Sequence, residues 1–430
     1  MPSPGRPRRN RSIAALIAAG AAALLTAQTA FAAVDWGPVR KVSPPYTYNF
    51  GGSLARSTKA DTSYLHAAYT AARIDGDFVD NNGPFAGVYY RRGNSSGSDW
   101  GTPKRLNPNS QHADYGTVIS SGRNVYAAYV SIEHWINYDP AEPRPVTMRI
   151  NTNHGAGSAW LSRKITTFDT RIDRPALAPW GTRGVVMTYT DADTGNIFLM
   201  TCGDLSVEDS GCAAGNIGTT TRLATNPDDG FEGLPVVATS GGTIAVAWLD
   251  TTEGGITYVT KVTEGDWTEP ASLTTAFADG LSAAAKGGRF AFAWTEDDGV
   301  KLRMWSTSGG LDPTRTVASV SSGGTYKAAY STAVALAGED TVGVAFAACR
   351  RADCGGGSST GVDLRWRQSG NDGSTWGSAS TVGSYAASSS RRINDYPSAL
   401  MSSTTKRYVA FTGLNASFTS YRIFLRVGTG

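Results

Sequence analysis

The sequence predicts an all-β chain folded as a seven-bladed β-propeller of four-stranded antiparallel blades, the last blade closed by the N-terminal strand. Three observations carry this. A short β run ending in an aromatic recurs seven times, each copy keeps the same companion strands, and the last copy lacks a strand that stands at the other end of the chain. The run reads YLHAAY (64–69), NVYAAY (124–129), GVVMTY (184–189), TIAVAW (243–248), RFAFAW (289–294), TVGVAF (341–346) and RYVAF (407–411). Its closing aromatics are 60, 60, 59, 46, 52 and 65 residues apart, a repeat length in the range of propellers and arrays.

Each run has companions in fixed order. A small-residue strand precedes it, as in PALAPWG (175–181), PVVATSGG (235–242) and PSALMSS (397–403). An alternating strand follows, as in GVYYRRG (87–93), ITYVTKV (256–262) and VDLRWRQ (362–368), and a Trp-led strand ends the unit, as in DWGTPKRL (99–106), AWLSRKI (159–165), DWTEPASL (266–273) and TWGSASTV (375–382). Small residues suit innermost strands crowding an axis, and no helical periodicity competes. The seventh unit stops after its third strand, YRIFLRV (421–427), while DWGPVRKV (35–42) matches DWGTPKRL almost position for position. Pairing the two closes the ring and removes the open edge. An array of small β-sandwiches leaves the split seventh unit unexplained.

Residues 1–32 are set apart from the fold. Arg6, Arg8, Arg9 and Arg11 precede an uncharged apolar run, Ile13 to Ala27, and Ala30-Phe31-Ala32 has the small-x-small form of a cleavage site. This is the pattern of a secretory signal, so the expected product is a secreted, extracellular single domain over 33–430 with no membrane association. The leader holds four of the 39 basic residues, leaving 35 against 36 acidic ones. That balance gives no reason to expect a nucleic-acid partner. The chain is read as a monomer. In an exported protein the local pairs Cys202 with Cys212 and Cys349 with Cys354 are expected as disulfides, with zinc disfavoured because no His is near either pair.

One octet identifies a family. SGNDGSTW (369–376) follows the pattern Ser-x-Asp-x-Gly-x-Thr-Trp through Ser369, Asn371, Gly373, Thr375 and Trp376, with Asn in the Asp position. Weaker copies are GNSSGSDW (93–100) and NHGAGSAW (153–160). The chain thus resembles the sialidase-like superfamily of Asp-box, or BNR-repeat, propellers. The resemblance implies the same fold and a carbohydrate ligand, in a group that includes sialidases, other glycosidases, polysaccharide lyases and lectins. Strict sialidases carry an Arg-Ile-Pro signature near the first blade and an arginine triad. The matching stretch here, TYNFGGSLA (47–55), has no Arg, so a strict sialidase is not expected. The octet itself reads as a folded turn on the face away from the chemistry.

The opposite face collects the 2–3 loops and the crossovers between blades, and binding residues concentrate on such loops. An acidic residue recurs just before the first strand: Asp114, Asp173, Glu232, Asp279 and Asp395, with Asn49 in blade one and Ala329 in blade six. Such carboxylates would ring the channel mouth. Either they tie backbone amides as structural struts, or one or two serve as an acid–base or nucleophile pair. The crowding is asymmetric. Blade two contributes His112, Asp114, Tyr115, His134, Trp135 and Tyr138; blade one Arg73; blade three Asp173 and Arg174; blade seven Arg392, Asp395 and Tyr396. Aromatics with acids and Arg suit a sugar ring, including an anionic one.

Three functions follow as expectations. In a glycoside hydrolase, Asp114, Asp173 and Asp395 supply the carboxylates and Tyr115 supports them, while Arg73, Trp135, Tyr138, Arg174, Glu232, Arg392 and Tyr396 bind an oligo- or polysaccharide. In a lyase on a uronate-containing glycan, His112 and His134 act as base or donor. The third is a non-catalytic glycan-binding propeller. No cofactor is expected, although Asp75, Asp77 and Asp80 in IDGDFVDNNG group oxygen ligands of the kind that hold Ca²⁺.

Overall fold

The computed structural model describes residues 34–430 except 45–47, 73–85, 110, 133–144, 166–171, 192–193, 208–219, 225–232, 251–253, 264, 351–361, 384–392 and 415–420; at 48–50, 72, 132, 164, 172–174, 220, 393–396, 414 and 421 it describes the backbone alone. The signal-like leader lies outside these residues.

The described chain is all β, in seven antiparallel sheets arranged as a ring of four-stranded blades. Blade one consists of Tyr48–Lys59, Thr62–Ala72, Gly87–Asn94 and Lys104–Arg105, hydrogen-bonded in that order. Blades two to six repeat the order, and in blade five the outermost strand is split into Gly310–Leu311 and Arg315–Ser319. The first strands lie against one another from blade to blade around the whole ring. They are therefore the inner wall, and their small residues allow that close approach.

The core is not one mass but seven apolar layers, one between each pair of neighbouring blades. The recurring aromatics fill these layers: Tyr69, Tyr129 and Trp294 are at most 1% exposed. Each blade buries both faces of its second strand, so TVGVAFAAC (341–349) is buried at every residue. A strand covered on both sides loses polar–apolar alternation, which is why these runs read as continuously apolar.

The ring closes as its split repeat predicts. Asp35–Trp36 and Arg40–Lys41 both pair with Tyr421–Thr429, with Trp36 opposite Gly428 and Arg40 opposite Leu425. Trp36 also reaches the neighbouring blade six: its indole packs edge-on against Trp366 at 6.1 Å and its Nε1–H donates to Ser380 Oγ at 2.9 Å.

An arginine device, not anticipated from the sequence, fastens the outer rims. Arg91, Arg303, Arg367 and Arg426 hold one register position, opposite the residue two before the closing aromatic of their own blade. In each, Nε donates to a carbonyl of the blade's own outer segment: Gly101 at 2.6 Å, Asp312 at 2.8 Å, Gly377 at 2.8 Å and Gly37 at 2.9 Å. In each, Nη1 donates to the preceding blade's fourth strand, at Val42, Leu273, Val317 and Val382. Every guanidinium thus staples two blades through backbone acceptors. Arg426→Leu removes the donors to Gly37, Trp36 and Val382 together. We expect it to cost about 3 kcal/mol in urea unfolding, since orphaned buried carbonyls carry the desolvation penalty. A change below about 0.5 kcal/mol would contradict the staple.

The octet at 369–376 is a self-bonded turn. Ser369 Oγ accepts from the backbone N–H of Gly373 at 2.8 Å, and Asn371 Oδ1 accepts from that of Thr375 at 2.8 Å. Asp372 and Gly373 sit at φ 56° and 84°. Trp376 is half-buried against the layer between blades five and six.

Candidate functional site

The channel mouth is shaped by a bulge in the first strands. In blade two Asp114 pairs with Val130 and Thr117 with Ala128, leaving Tyr115 and Gly116 opposite Tyr129. Two residues stand opposite the closing aromatic in blades one, three and five as well, one of them extra. Blade six places its one extra residue, Ser331, a step earlier, and blade seven sets three residues, Asp395 to Pro397, opposite Phe411, two of them extra. The residues just before the bulge, all at one level, are therefore Phe50, Asp114, Asp173, Asp279, Tyr330 and Asn394. This corrects the expected ring in two ways. The acids lie inside the first strand rather than before it. Asn49 and Asp395 fall one residue to either side of that level: blade one carries the same bulge as blade two, so Phe50 rather than Asn49 matches Asp114, while the longer bulge of blade seven leaves Asn394 at that place. Asp114, Asp173 and Asp279 remain as the carboxyl residues at that level among the described blades.

The chemistry of two of these acids is visible. Asp114 Oδ1 accepts from the backbone N–H of Tyr115 at 2.6 Å and from Thr70 Oγ1 of blade one at 3.1 Å. Asp279 Oδ1 accepts from Gly280 N–H at 2.6 Å. A carboxylate that holds the next residue's amide fixes the bulge, so both acids serve as struts. Tyr115 lies at φ 54°, where blades one and five have Gly51 and Gly280 at 64° and 60° and blade six has Ser331 at 44°. A left-handed backbone at a residue with Cβ costs about 1–2 kcal/mol, whereas Gly adopts it without that penalty. Its ring packs on the layer between blades two and three.

His112 begins the same strand. Its Nδ1 accepts the backbone N–H of Ala86 at 3.2 Å. Burial, reinforced by Arg105, lowers its pKa to about 4, so it is neutral at pH 7 with one ring nitrogen already engaged.

Asp173, Arg174, Asp395 and Tyr396 are placed by backbone only, in the first strands of blades three and seven. Arg73, Asp75, Asp77, Asp80, His134, Trp135, Tyr138, Glu232 and Arg392 lie outside the described residues, as do Cys212 and Cys354. Cys202 and Cys349 are buried strand ends, and no free cysteine occurs among the described residues. No cluster of metal-ligating residues occurs among them either.

Sequence reading missed Thr70 as the partner of Asp114. The signal was present: a Thr follows the closing aromatic at Thr70, Thr190, Thr295 and Thr412. Thr190 Oγ1 likewise reaches toward the next blade, donating to Gly233 O at 2.6 Å. Also missed was a cleft of about 420 Å³ on the opposite face, between blades one and two.

No family model and no curated protein matches the chain. Solved structures do. A protein of unknown function from Dyadobacter fermentans is similar at TM-score 0.52 and 9% identity, over 92% of this chain and 99% of that one. A Trypanosoma rangeli sialidase is similar at TM-score 0.47 and 12% identity, over 91% of this chain and 56% of that one. A Hadza microbial sialidase is similar at TM-score 0.43 and 13% identity, over 69% of this chain and 63% of that one. The chain thus spans less than two thirds of either sialidase. At 9% identity the likeness to the Dyadobacter fermentans protein speaks to fold alone.

Proposed function

We propose that the protein is a secreted carbohydrate-active propeller that hydrolyses an extracellular glycan at the crossover face of blades two and three. The observation that supports this reading is the pair Asp114 and Asp173, which hold the same register position on adjacent first strands. Two carboxylates flanking one mouth are what glycoside hydrolysis uses, one protonating the leaving oxygen and the other acting as base or nucleophile. Tyr115 between them, in a backbone state that Gly would fill at lower cost, adds to it, because strain of this kind collects at working sites. Arg73, Trp135, Tyr138, Arg174, Glu232, Arg392, Asp395 and Tyr396 surround the mouth as sugar-binding groups in this reading. The Cys202–Cys212 and Cys349–Cys354 disulfides stiffen its loops, and Asp75, Asp77 and Asp80 form its optional calcium site.

A second reading, glycan binding without turnover, draws on the strut role of Asp114 and of its counterpart Asp279. A lyase has less support, since the neutral, engaged His112 leaves it resting on His134.

The test is digestion of a glycan panel read by product mass, with Asp114→Asn, Asp173→Asn and Tyr115→Gly alongside. Hydrolysis adds water to the products, elimination does not, and a lectin leaves the glycan intact. We expect each Asp variant to lose at least about a hundredfold in turnover, within the range for acid–base groups. Tyr115→Gly should lose turnover while its Tm stays within a few degrees. Full turnover in both Asp variants would overturn the assignment.

A further inference from the structure

The crossover from blade four to blade five joins Ala271–Thr274 to Asp279–Lys286, on the face that carries the mouth. Phe277 stands in it 74% exposed, more than any other large hydrophobic residue among the described ones. A lone exposed apolar residue is ordinary on a protein surface. This one is set apart by how its backbone is held and by where it stands.

Both sides of Phe277 are tied down. Before it, Ala276 N–H donates to Thr274 Oγ1 at 3.1 Å, and Thr274 Oγ1 donates to Glu296 Oε1 at 2.9 Å. That same oxygen accepts the indole N–H of the buried Trp294 at 2.8 Å. After it, Asp279 O accepts from Thr295 Oγ1 at 3.1 Å. On the blade-four side, a Cβ added at Gly254 would stand 3.8 Å from Cδ2 of the ring, so the loop backbone backs one edge of it. The exposure is not imposed by the architecture. His112 holds the same place in blade two, two residues before Asp114 as Phe277 is before Asp279. Its Nδ1 accepts from Ala86 N–H of blade one, whereas the phenyl ring of Phe277 stands in water. Covering such a ring is favourable by about 1.5–3 kcal/mol.

The surroundings indicate what covers it. The turn to which Thr274 is tied, Glu296-Asp297-Asp298, carries three carboxyl residues, with Asp297 and Asp298 exposed, and Asp279 follows two residues after the ring. Lys301, the cation of that turn, is buried and bonded to Asp298 at 2.6 Å. An aromatic ring rimmed by carboxylates suits a neutral sugar, whose C–H face stacks and whose hydroxyls donate, while a uronate would meet like charge. We propose that Phe277 is a stacking platform for a neutral sugar unit of the substrate, so that the glycan lies across the mouth from blades two and three to blade five. This deepens the proposed function and rests on its reading of the mouth as a glycan site. A ring fixed on a tied segment needs little ordering when the sugar arrives.

Affinity electrophoresis through gels holding galactan, mannan, β-glucan or, as the anionic control, polygalacturonate tests the platform. We expect a neutral polymer to retard the parent chain. Phe277→Ala should weaken that apparent affinity at least about tenfold, and Phe277→Trp should keep it. Any retardation by polygalacturonate should be the same in parent and Phe277→Ala. The Tm of Phe277→Ala should stay within about 2 °C of the parent, as a surface change does. On a polymer that is also cleaved, Phe277→Ala should raise KM and leave kcat unchanged. Asp114→Asn should keep the retardation, so failure of the platform is told apart from failure of the hydrolysis. Retardation by no neutral polymer, or equal retardation of parent and Phe277→Ala, would overturn the proposal. So would a dimer of the parent that Phe277→Ala dissolves, since a second copy would then be what covers the ring.

Discussion

A chain that begins at Pro44, lacking the strand that pairs with Tyr421–Thr429, is expected to lose its monomeric folded state at ordinary concentrations. Three losses coincide. The backbone pairing of Asp35, Trp36, Arg40 and Lys41 disappears, leaving a long exposed edge. Arg426 loses its acceptors Gly37 and Trp36. Blade six loses the Trp36 ring from Trp366 and the bond to Ser380. A Tm lower by more than about 10 °C, with dimers or aggregates by light scattering, is the expected outcome. A permutant separates loss of the strand from loss of a leader. Trp36 faces Gly428 as Trp100 faces Gly93 in blade one. Joining Gly430 to Val34 through two inserted residues gives the seven-residue step that separates Gly93 from Trp100. Such a chain, starting at Pro44 and ending at Ser43, should recover the Tm of the parent to within a few degrees. A truncated chain as stable as the parent would show that the clasp is dispensable.

The ring was legible in the sequence because its cause is local and repeated. Tyr69, Tyr129, Tyr189, Trp248, Trp294, Phe346 and Phe411 each close a second strand covered on both faces, so the same composition returns at each blade. The DWG pair at 35–37 and 99–101 exposed the closure for the same reason. The mouth was legible only in part. Asp114 and Asp279 were found, but their level was blurred because the bulge has one or two extra residues at places that differ between blades, and spacing alone does not reveal where pairing resumes. The staples escaped notice because Arg91 or Arg367 in an alternating strand looks like an ordinary solvated residue. Their work is done on backbone carbonyls, which leave no trace in residue types. The cleft escaped because its walls come from two blades, Tyr64, Tyr90 and Arg92 from one and Trp160 from the next, and spacing within a repeat does not show what meets across blades.

Acid should weaken this protein well before its carboxylates titrate, through His66. This histidine is fully buried between blades one and two. One ring nitrogen, Nε2, meets Ser57 Oγ at 2.8 Å, and Nδ1 meets Tyr90 Oη at 2.7 Å. Burial first, then Arg92 and His154, lower its pKa from 6.5 to about 3. The native state therefore binds this proton less readily than the unfolded chain. The stability it contributes is whole above pH 6.5 and is lost as pH falls from there toward 3. The size is on the order of 5 kcal/mol over the whole range and about 3 kcal/mol by pH 4. His112 and His154 are shifted the same way and add to the slope in the same window. Between pH 6.5 and 5 most carboxylates stay ionised in both states, so the slope there reports histidines. His66→Gln keeps a polar, non-titrating group between Ser57 and Tyr90. It should be less stable than the parent at pH 7.5, yet its stability should fall with acid by about one proton less, measured by urea unfolding at half-unit steps. The same slope in parent and variant would mean that His66 is protonated in the native state. The Ser57–His66–Tyr90 chain would then be a charged network beneath the cleft rather than the neutral one the packing around it requires.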